Sequence, residues 1–214
     1  GRIYRGILTG LNEACAPERE RAEKLIEKDP RSSKILRPFL SGRNVKRYAM
    51  PNVKKYLIFL PKGTTDTMRG ELGPEEWLCS EYPAVAEHLA QYEEKASKRR
   101  DKGDYWWELR SCRYYDEFEK TKIICPTIVR QLSATIETHG LFSNDKTSII
   151  ASGDFYLLGL LNSNLMDFYM RRVCTELLND HYEVKPANLA SLPIREVSST
   201  NSFHVNLRDR KSVV

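Results

Sequence analysis

Short apolar segments separated by turn residues fill the middle of the chain and constrain its fold more than any other feature. Four of them, at residues 122–125, 127–133, 135–138 and 147–151, are rich in Ile, Val and Thr. Turn residues at 126, 139–140 and 143–145 separate them. Such segments are typical of short strands joined by hairpins. Because they do not alternate regularly with helices, they predict an α+β fold with a mixed, irregular β-sheet, hairpins and flanking helices.

Further elements are predicted on both sides of this region. Before it, we expect a strand at 3–9, a helix at 17–26, a short helix carrying Ile35, Leu36 and Phe39, a buried strand at 56–60 and a loop at 61–73. A longer helix should begin near Pro83, with Val85, Leu89, Tyr92 and Ala96 on one face. Asp154 is suited to cap the strongest helix. The predicted buried stripe of that helix is Leu157, Leu158, Leu161, Leu165 and Phe168.

The length of 214 residues allows one domain or at most two small ones. We expect a single domain at 1–197 and a polar, mobile tail at 198–214. Strand-like sequence begins immediately after Gly1, so we expect a fragment of a longer polypeptide. The sequence shows neither a signal peptide nor an apolar stretch long enough to span a bilayer, so the expected location is cytoplasmic with no membrane partner.

Sequence signatures of catalysis are missing. There is no glycine-rich phosphate loop, no GxSxG elbow and no HExxH pair. The five cysteines form no CxxC pair, and the four histidines stand apart from potential co-ligands, so no metal site is expected. The Pro-Pro motif of adenine methyltransferases is also missing. We therefore expect no catalytic activity and no cofactor in this chain.

Positive charge occurs together with aromatic residues in three places. These are residues 43–48, residues 98–115, and residues 130–131 with Lys146 nearby. Cations can neutralise phosphates, Arg and Gln can bond base edges, and aromatic rings can stack on bases. The same residues could equally be solvated, or packed in the core in the case of Trp106, Trp107, Tyr114 and Tyr115. The net charge of +5 permits a polyanionic partner without requiring one.

The order of several short motifs resembles a known family. GILTGLNEA at 6–14 is similar to the opening of the TaqI-like C-terminal specificity domain, with Cys15 in place of the usual Phe. ILRPFLSGRNVKRY at 35–48, the segment from Trp107 to Ile124, YLLGLLNS at 156–163 and LPI at 192–194 follow in the family's order. This domain occurs in type IIG restriction-modification enzymes and adenine-specific DNA methyltransferases.

The resemblance implies a sequence-specific reader of double-stranded DNA. The reader would position a target adenine for an upstream N6-adenine methyltransferase domain of the same polypeptide, and in some members for an endonuclease domain. S-adenosylmethionine would bind that upstream domain rather than this chain. An alternative is a protein-interaction module that docks a methyltransferase or restriction partner without touching DNA. An exposed stripe at Leu158, Leu161 and Leu165 would favour this alternative.

We expect two kinds of DNA contact. The residues expected to position the phosphate backbone are Arg43, Lys46, Arg47 and Arg113. Those expected to face base edges lie on the predicted strand after Pro126 and beside it: Arg130, Gln131, Ser133, Thr135, Lys146 and Thr147. Thr9 and Asn12, on a tight turn, are also expected to meet DNA.

Overall fold

The computed structural model describes residues 1–195, which divide into two compact units. The first unit contains Gly1–Gly6, Ser41–Asn52 and the described residues from Asp116 onward. The second contains Ile7–Leu40 and Val53–Tyr115. The predicted tail at 198–214 lies outside the described residues. No helix in the described part of the chain is long and apolar enough to cross a membrane.

Short helices and short strands make up both units. The helices are α1 (Asn12–Cys15), α2 (Arg19–Lys28), α3 (Thr64–Met68), α4 (Pro74–Glu81), α5 (Pro83–Ala90), α6 (Glu93–Ser97), α7 (Phe155–Leu161), α8 (Asn164–Val173) and α9 (Pro186–Ala190). The strands are β1 (Ile3–Arg5), β2 (Leu36–Leu40), β3 (Lys55–Ile58), β4 (Lys122–Pro126), β5 (Ile128–Val129), β6 (Thr135–Glu137), β7 (Phe142–Ser143), β8 (Thr147–Ile150), β9 (Thr175–Leu177) and β10 (His181–Glu183). The mixture confirms the predicted α+β class.

Two antiparallel sheets organise the first unit. One has the strand order β1-β8-β4-β6 and pairs Ile123 with Ile150 in its centre. The other has the order β5-β10-β9 and pairs Tyr182 with Val129. Side chains of both sheets share a buried core with Leu158, Leu161 and other residues of α7 to α9. The core thus fixes the helices against the segment that follows β5.

The second unit is built from the antiparallel strand pair β2–β3 and the helices α1 to α6. Leu36 pairs with Ile58, and α2 packs against both β3 and α5. Its buried side chains include Leu25, Leu57, Leu89 and Trp107. The indole Nε1 of Trp107 donates to Thr65 Oγ1 at 3.0 Å, so this tryptophan is part of the packing.

Several expectations from the sequence are confirmed. β4, β6 and β8 occupy the predicted strands at 122–125, 135–138 and 147–151. Asp154 caps α7, where its carboxylate accepts hydrogen bonds from the amides of Tyr156 at 2.9 Å and Leu157 at 3.4 Å. These elements were predictable because β-branched content and capping chemistry act locally.

The predicted short helix with Ile35, Leu36 and Phe39 is wrong, because Leu36–Leu40 forms β2. The apolar spacing fits both a helix and a strand. Pro38 decides against the helix, since its ring removes an amide donor and clashes with the preceding helical turn. In the strand, Pro38 is paired with Tyr56 of β3. The prediction of a loop at 61–73 is also only partly correct, because this segment contains the helix α3.

The two long predicted helices are each broken in the structure. The helix from Pro83 divides into α5 and α6, and the leucine-rich helix divides into α7 and α8 at Asn162 and Ser163. Because of this break, the buried side of α8 does not continue the predicted stripe. Leu158 and Leu161 are buried, but Leu165 is 57% exposed and Phe168 is 49% exposed. The predicted continuous buried stripe is therefore wrong beyond Asn162.

Candidate nucleic-acid interface

Two of the basic segments found in the sequence lie against each other in the first unit. The Nε of Arg47 donates to the carbonyl oxygen of Leu132 at 2.8 Å. The amide of Tyr48 donates to the carbonyl oxygen of Ala134 at 3.3 Å. The hydroxyl of Thr135 donates to the carbonyl oxygen of Ala49 at 3.0 Å. The segment 43–48, hereafter the basic turn, is therefore held beside residues 130–135, hereafter the reading loop.

The reading loop replaces most of the strand predicted at 127–133, because only Ile128–Val129 pairs as β5. Side chains of α8 and of Asn162, which lies between α7 and α8, bond its backbone instead. Asn162 accepts from the Ala134 amide at 2.8 Å and donates to the Ala134 carbonyl at 3.0 Å. Asp167 accepts from the Leu132 amide at 2.8 Å. Buried backbone groups need partners, and here buried side chains supply them in place of a neighbouring strand.

Arg171 completes this support from the last turn of α8. One guanidinium nitrogen donates to the Arg130 carbonyl at 2.8 Å, and the guanidinium carbon lies 5.1 Å from the Tyr182 ring centroid. Its Nε also lies 3.2 Å from the Asp167 carboxylate. The hydrogen bond to Asp167 raises the pKa of Arg171, so this side chain is cationic at every relevant pH.

The side chains displayed from this frame are cationic and polar. Arg43, Lys46, Arg130 and Gln131 are exposed, and Arg47 is half-buried. Within residues 1–195, no carboxylate forms an ion pair with any of these four cations, whereas Lys146 lies 3.7 Å from Asp145. An exposed cation without a carboxylate partner is available to neutralise a phosphate.

Lys146 is placed beside the basic turn by a close backbone contact. Its carbonyl oxygen would lie 2.4 Å from a β-carbon at Gly42, a distance that only glycine avoids. The same carbonyl accepts the Thr127 amide at 2.9 Å. The structure therefore brings three sequence segments, around residues 43, 130 and 146, into one surface of the first unit.

Some predicted base-reading side chains face inward. Thr135 and Thr147 are buried, and their hydroxyls bond Ala49 and Ser143 within the protein. Both side chains are thus turned into the protein and do not present a surface to a base edge in this structure, contrary to the expectation. The hydroxyl of half-buried Ser133 donates to the Gln131 carbonyl at 3.2 Å. The hydroxyls of Thr135, Thr147 and Ser133 thus stabilise the reading loop and the segments next to it through hydrogen bonds within the protein.

The remaining three predicted contacts belong to the second unit. Asn12 and Arg113 are exposed. Thr9 is buried, its hydroxyl donates to Asn12 Oδ1 at 2.8 Å, and its carbonyl accepts a hydrogen bond from buried Arg99. Arg99 also bonds the carbonyls of Trp106 and Glu108. Thr9 and Arg99 thus stabilise the turn, and Thr9 offers no side-chain surface to DNA.

Sequence reasoning did not identify the supporting residues Asn162, Asp167 and Arg171. A signal for one of them was present, because Asn162 follows Leu158 by four positions on the apolar stripe. A polar residue at a core position indicates a buried hydrogen-bond partner. Within the described residues, no group of three or more His, Cys, Asp or Glu side chains could hold a metal ion.

The alternative of a protein-interaction module was tied to an exposed stripe at Leu158, Leu161 and Leu165. Two of these three leucines are buried in the core, and only Leu165 is exposed. These three leucines therefore do not form the exposed stripe that would favour this alternative.

Comparisons with known proteins identify a family and a similar fold. The model of the TaqI-like C-terminal specificity domain matches residues 37–194. A solved structure of the type IIL restriction-modification enzyme MmeI in complex with DNA has a similar fold, with a TM-score of 0.60 and 17% sequence identity. That similarity covers 89% of this chain and 24% of the MmeI chain. A search of curated proteins found no match. Because the family model covers most of its length, the chain belongs to the TaqI-like C-terminal specificity domain family.

Proposed function

We propose that this chain recognises a specific double-stranded DNA sequence and positions a target adenine for an N6-adenine methyltransferase domain of the same polypeptide. The observation that carries the proposal is the first unit's surface of exposed cations without carboxylate partners around a rigidly held loop. A fixed frame allows side chains to discriminate between base pairs, because a loop that moves freely loses that geometry.

The exposed residues divide into two roles. Arg43 and Lys46 contact phosphates, which sets the position of the domain on the duplex without reading sequence. Lys146 is a weaker phosphate contact, because Asp145 already lies 3.7 Å from its ammonium group. Arg130 and Gln131 reach base edges from the reading loop, where Arg prefers guanine and Gln prefers adenine in the major groove. Arg47 contributes less to base recognition, because its Nε already donates to the Leu132 carbonyl.

The comparisons support a DNA partner and a larger parent protein. The similar solved structure is that of a restriction-modification enzyme in complex with DNA, and this chain corresponds to about a quarter of its length. Methyl transfer, S-adenosylmethionine binding and any DNA cleavage would then belong to other parts of such a polypeptide. Membership of the type IIG class and a cytoplasmic location complete the proposal.

Fluorescence anisotropy with a pool of random duplexes tests the proposal, with titrations at several salt concentrations starting near zero added salt. We expect binding that weakens steeply with salt, because phosphate contacts release counterions. Selection from the pool should then enrich one sequence motif. Lys120→Ala serves as the control, because Lys120 already bonds Asp116 and Glu117. Failure to bind any duplex at the lowest salt concentration would refute the proposal.

A further inference from the structure

The basic turn ends in a backbone conformation that its sequence does not favour. Tyr48 has a φ angle of 51°, in the left-handed region. Side chains with a β-carbon are disfavoured there, and glycine or asparagine is the usual occupant. A tyrosine in this region costs folding free energy, and such strain persists only where the surrounding structure imposes it.

Hydrogen bonds to the reading loop hold the chain on both sides of Tyr48. The Arg47 side chain is bound to the Leu132 carbonyl and the Tyr48 amide to the Ala134 carbonyl. The Ala49 carbonyl accepts from the Thr135 hydroxyl. The frame that fixes the reading loop therefore also fixes Tyr48.

The strained conformation does not bury the tyrosine. Tyr48 is 45% exposed and Met50, two residues later, is 63% exposed. Within residues 1–195 the Tyr48 hydroxyl has no hydrogen-bond partner. Tyr48 and Met50, hereafter the apolar tip, thus gain little from packing. Folding alone would favour asparagine or glycine at position 48 and a polar residue at position 50.

The surroundings of the apolar tip are positively charged. Residues 41–52 contain three cations and no Asp or Glu. Arg43 and Lys46 are exposed in the same segment, and Arg130 is exposed on the adjoining reading loop. Exposed apolar side chains on a segment that also carries unpaired cations suit a nucleic acid, whose grooves offer apolar sugar and base surface between two rows of phosphates.

We propose that the apolar tip enters a groove of the bound duplex, where the Tyr48 ring and the Met50 thioether lie against deoxyribose and base edges. Arg43 and Lys46 hold the phosphates on either side. This inference rests on the proposed DNA-recognition function and adds a contact residue to it. The strain at Tyr48 is the structural means by which an aromatic ring is kept facing outward.

The test compares stability with DNA affinity in the same variants. Tyr48→Asn removes the ring and tolerates the left-handed backbone, so its urea midpoint should be unchanged or higher. Its affinity for the selected duplex should fall about tenfold, in the range measured for aromatic contacts with bases. Tyr48→Phe should keep most of the affinity. Met50→Ala should lower the affinity roughly threefold at unchanged stability, which is about the effect of one buried CH₂ group. Phe155→Ala removes another exposed aromatic ring of the same unit and should change neither quantity.

Salt dependence separates this contact from the phosphate contacts. None of the variants at positions 48 and 50 changes charge, so the slope of log K against log salt should stay as in wild type. Arg43→Ala should lower that slope by about 0.9. Wild-type affinity in both Tyr48→Asn and Met50→Ala would overturn the inference while leaving the proposed function intact. Absence of duplex binding by the wild-type chain would overturn both.

Discussion

Asn162→Leu should detach the reading loop from the helices that hold it. Leucine matches the size and apolar character of the neighbouring stripe, so the substitution isolates the loss of hydrogen bonds from the loss of packing. Asn162 makes two bonds to Ala134, at 2.8 and 3.0 Å, and both residues are buried. After the substitution the Ala134 amide and carbonyl are left without these partners.

The expected cost follows from the orphaned Ala134 amide and from the bond lost at the Ala134 carbonyl, which keeps its hydrogen bond from the Tyr48 amide. A buried, unsatisfied backbone group costs about 1–3 kcal/mol and a lost hydrogen bond about 0.5–1.5 kcal/mol, which predicts a total loss of roughly 2–4 kcal/mol. Partial access of water to the loop would place the result at the lower end of this range. Because Ala134 adjoins the basic turn through Tyr48, we also expect weaker and less selective DNA binding.

Urea unfolding and hydrogen exchange measure the two parts of this prediction. Urea midpoints give the change in free energy of unfolding. The Ala134 amide should exchange faster than in wild type, since exchange reports local opening. Asn164→Ala is the matched control, because Asn164 is exposed at the start of α8 and should change stability by less than about 0.5 kcal/mol. A loss below about 0.5 kcal/mol for Asn162→Leu would refute the reasoning.

Three further predictions concern the ion pair between the fully buried side chains of Lys122 and Glu137, a buried histidine and a base contact. Lys122→Met should cost about 3–5 kcal/mol in urea unfolding, because it leaves the carboxylate of Glu137 buried without its cation. The double variant Lys122→Met/Glu137→Gln should be more stable than the single one, because glutamine removes the buried charge and keeps an oxygen that can accept from the amides of His139 and Leu141. Burial lowers the pKa of His88, so the unfolded chain takes up the proton at a higher pH than the folded chain does. The His88 contribution to the free energy of unfolding should therefore be fully present above about pH 6.5 and decrease below it. His88→Gln should remove this contribution from the dependence of the free energy of unfolding on pH. Arg130→Ala should cost about 1–3 kcal/mol in duplex binding and relax selectivity at one base pair in a repeated selection.

Each of these has a contrary outcome. For Lys122, a double variant no more stable than the single one would contradict the expected penalty for an unpaired buried carboxylate. A stability profile that keeps its shape after His88→Gln would assign the acid sensitivity to other groups. For Arg130, an equal loss on every sequence would make it a phosphate contact, and no loss would remove it from the interface.

The sequence was most informative where local chemistry decides structure. β4 follows from the β-branched run ending at Pro126, and the start of α7 follows from Asp154 as a cap. The cations of the candidate interface were also visible, since charge and residue type are properties of the sequence itself. What the sequence did not reveal was which of these residues share a surface, because the basic turn and the reading loop are separated by more than 80 residues.

Most of the errors have one physical cause, which is that long-range partners override local periodicity. The segment after β5 has the pattern of a strand, but Asn162 and Asp167 take its backbone hydrogen bonds. For Leu36–Leu40 a local signal was also present, because Pro38 disfavours the helix that the apolar spacing allows. Likewise, Thr135 and Thr147 look like exposed polar residues of a strand, but the fold turns their hydroxyls inward.

By itself, the sequence determined the α+β class, the resemblance to the specificity-domain family and the supply of cations, because these depend on composition and on the order of short motifs. Only the tertiary structure decided that the basic turn meets the reading loop, that α8 departs from the leucine stripe, and that Tyr48 is held outward at a positive φ. These features depend on hydrogen bonds between residues far apart in the chain, and no local pattern encodes them.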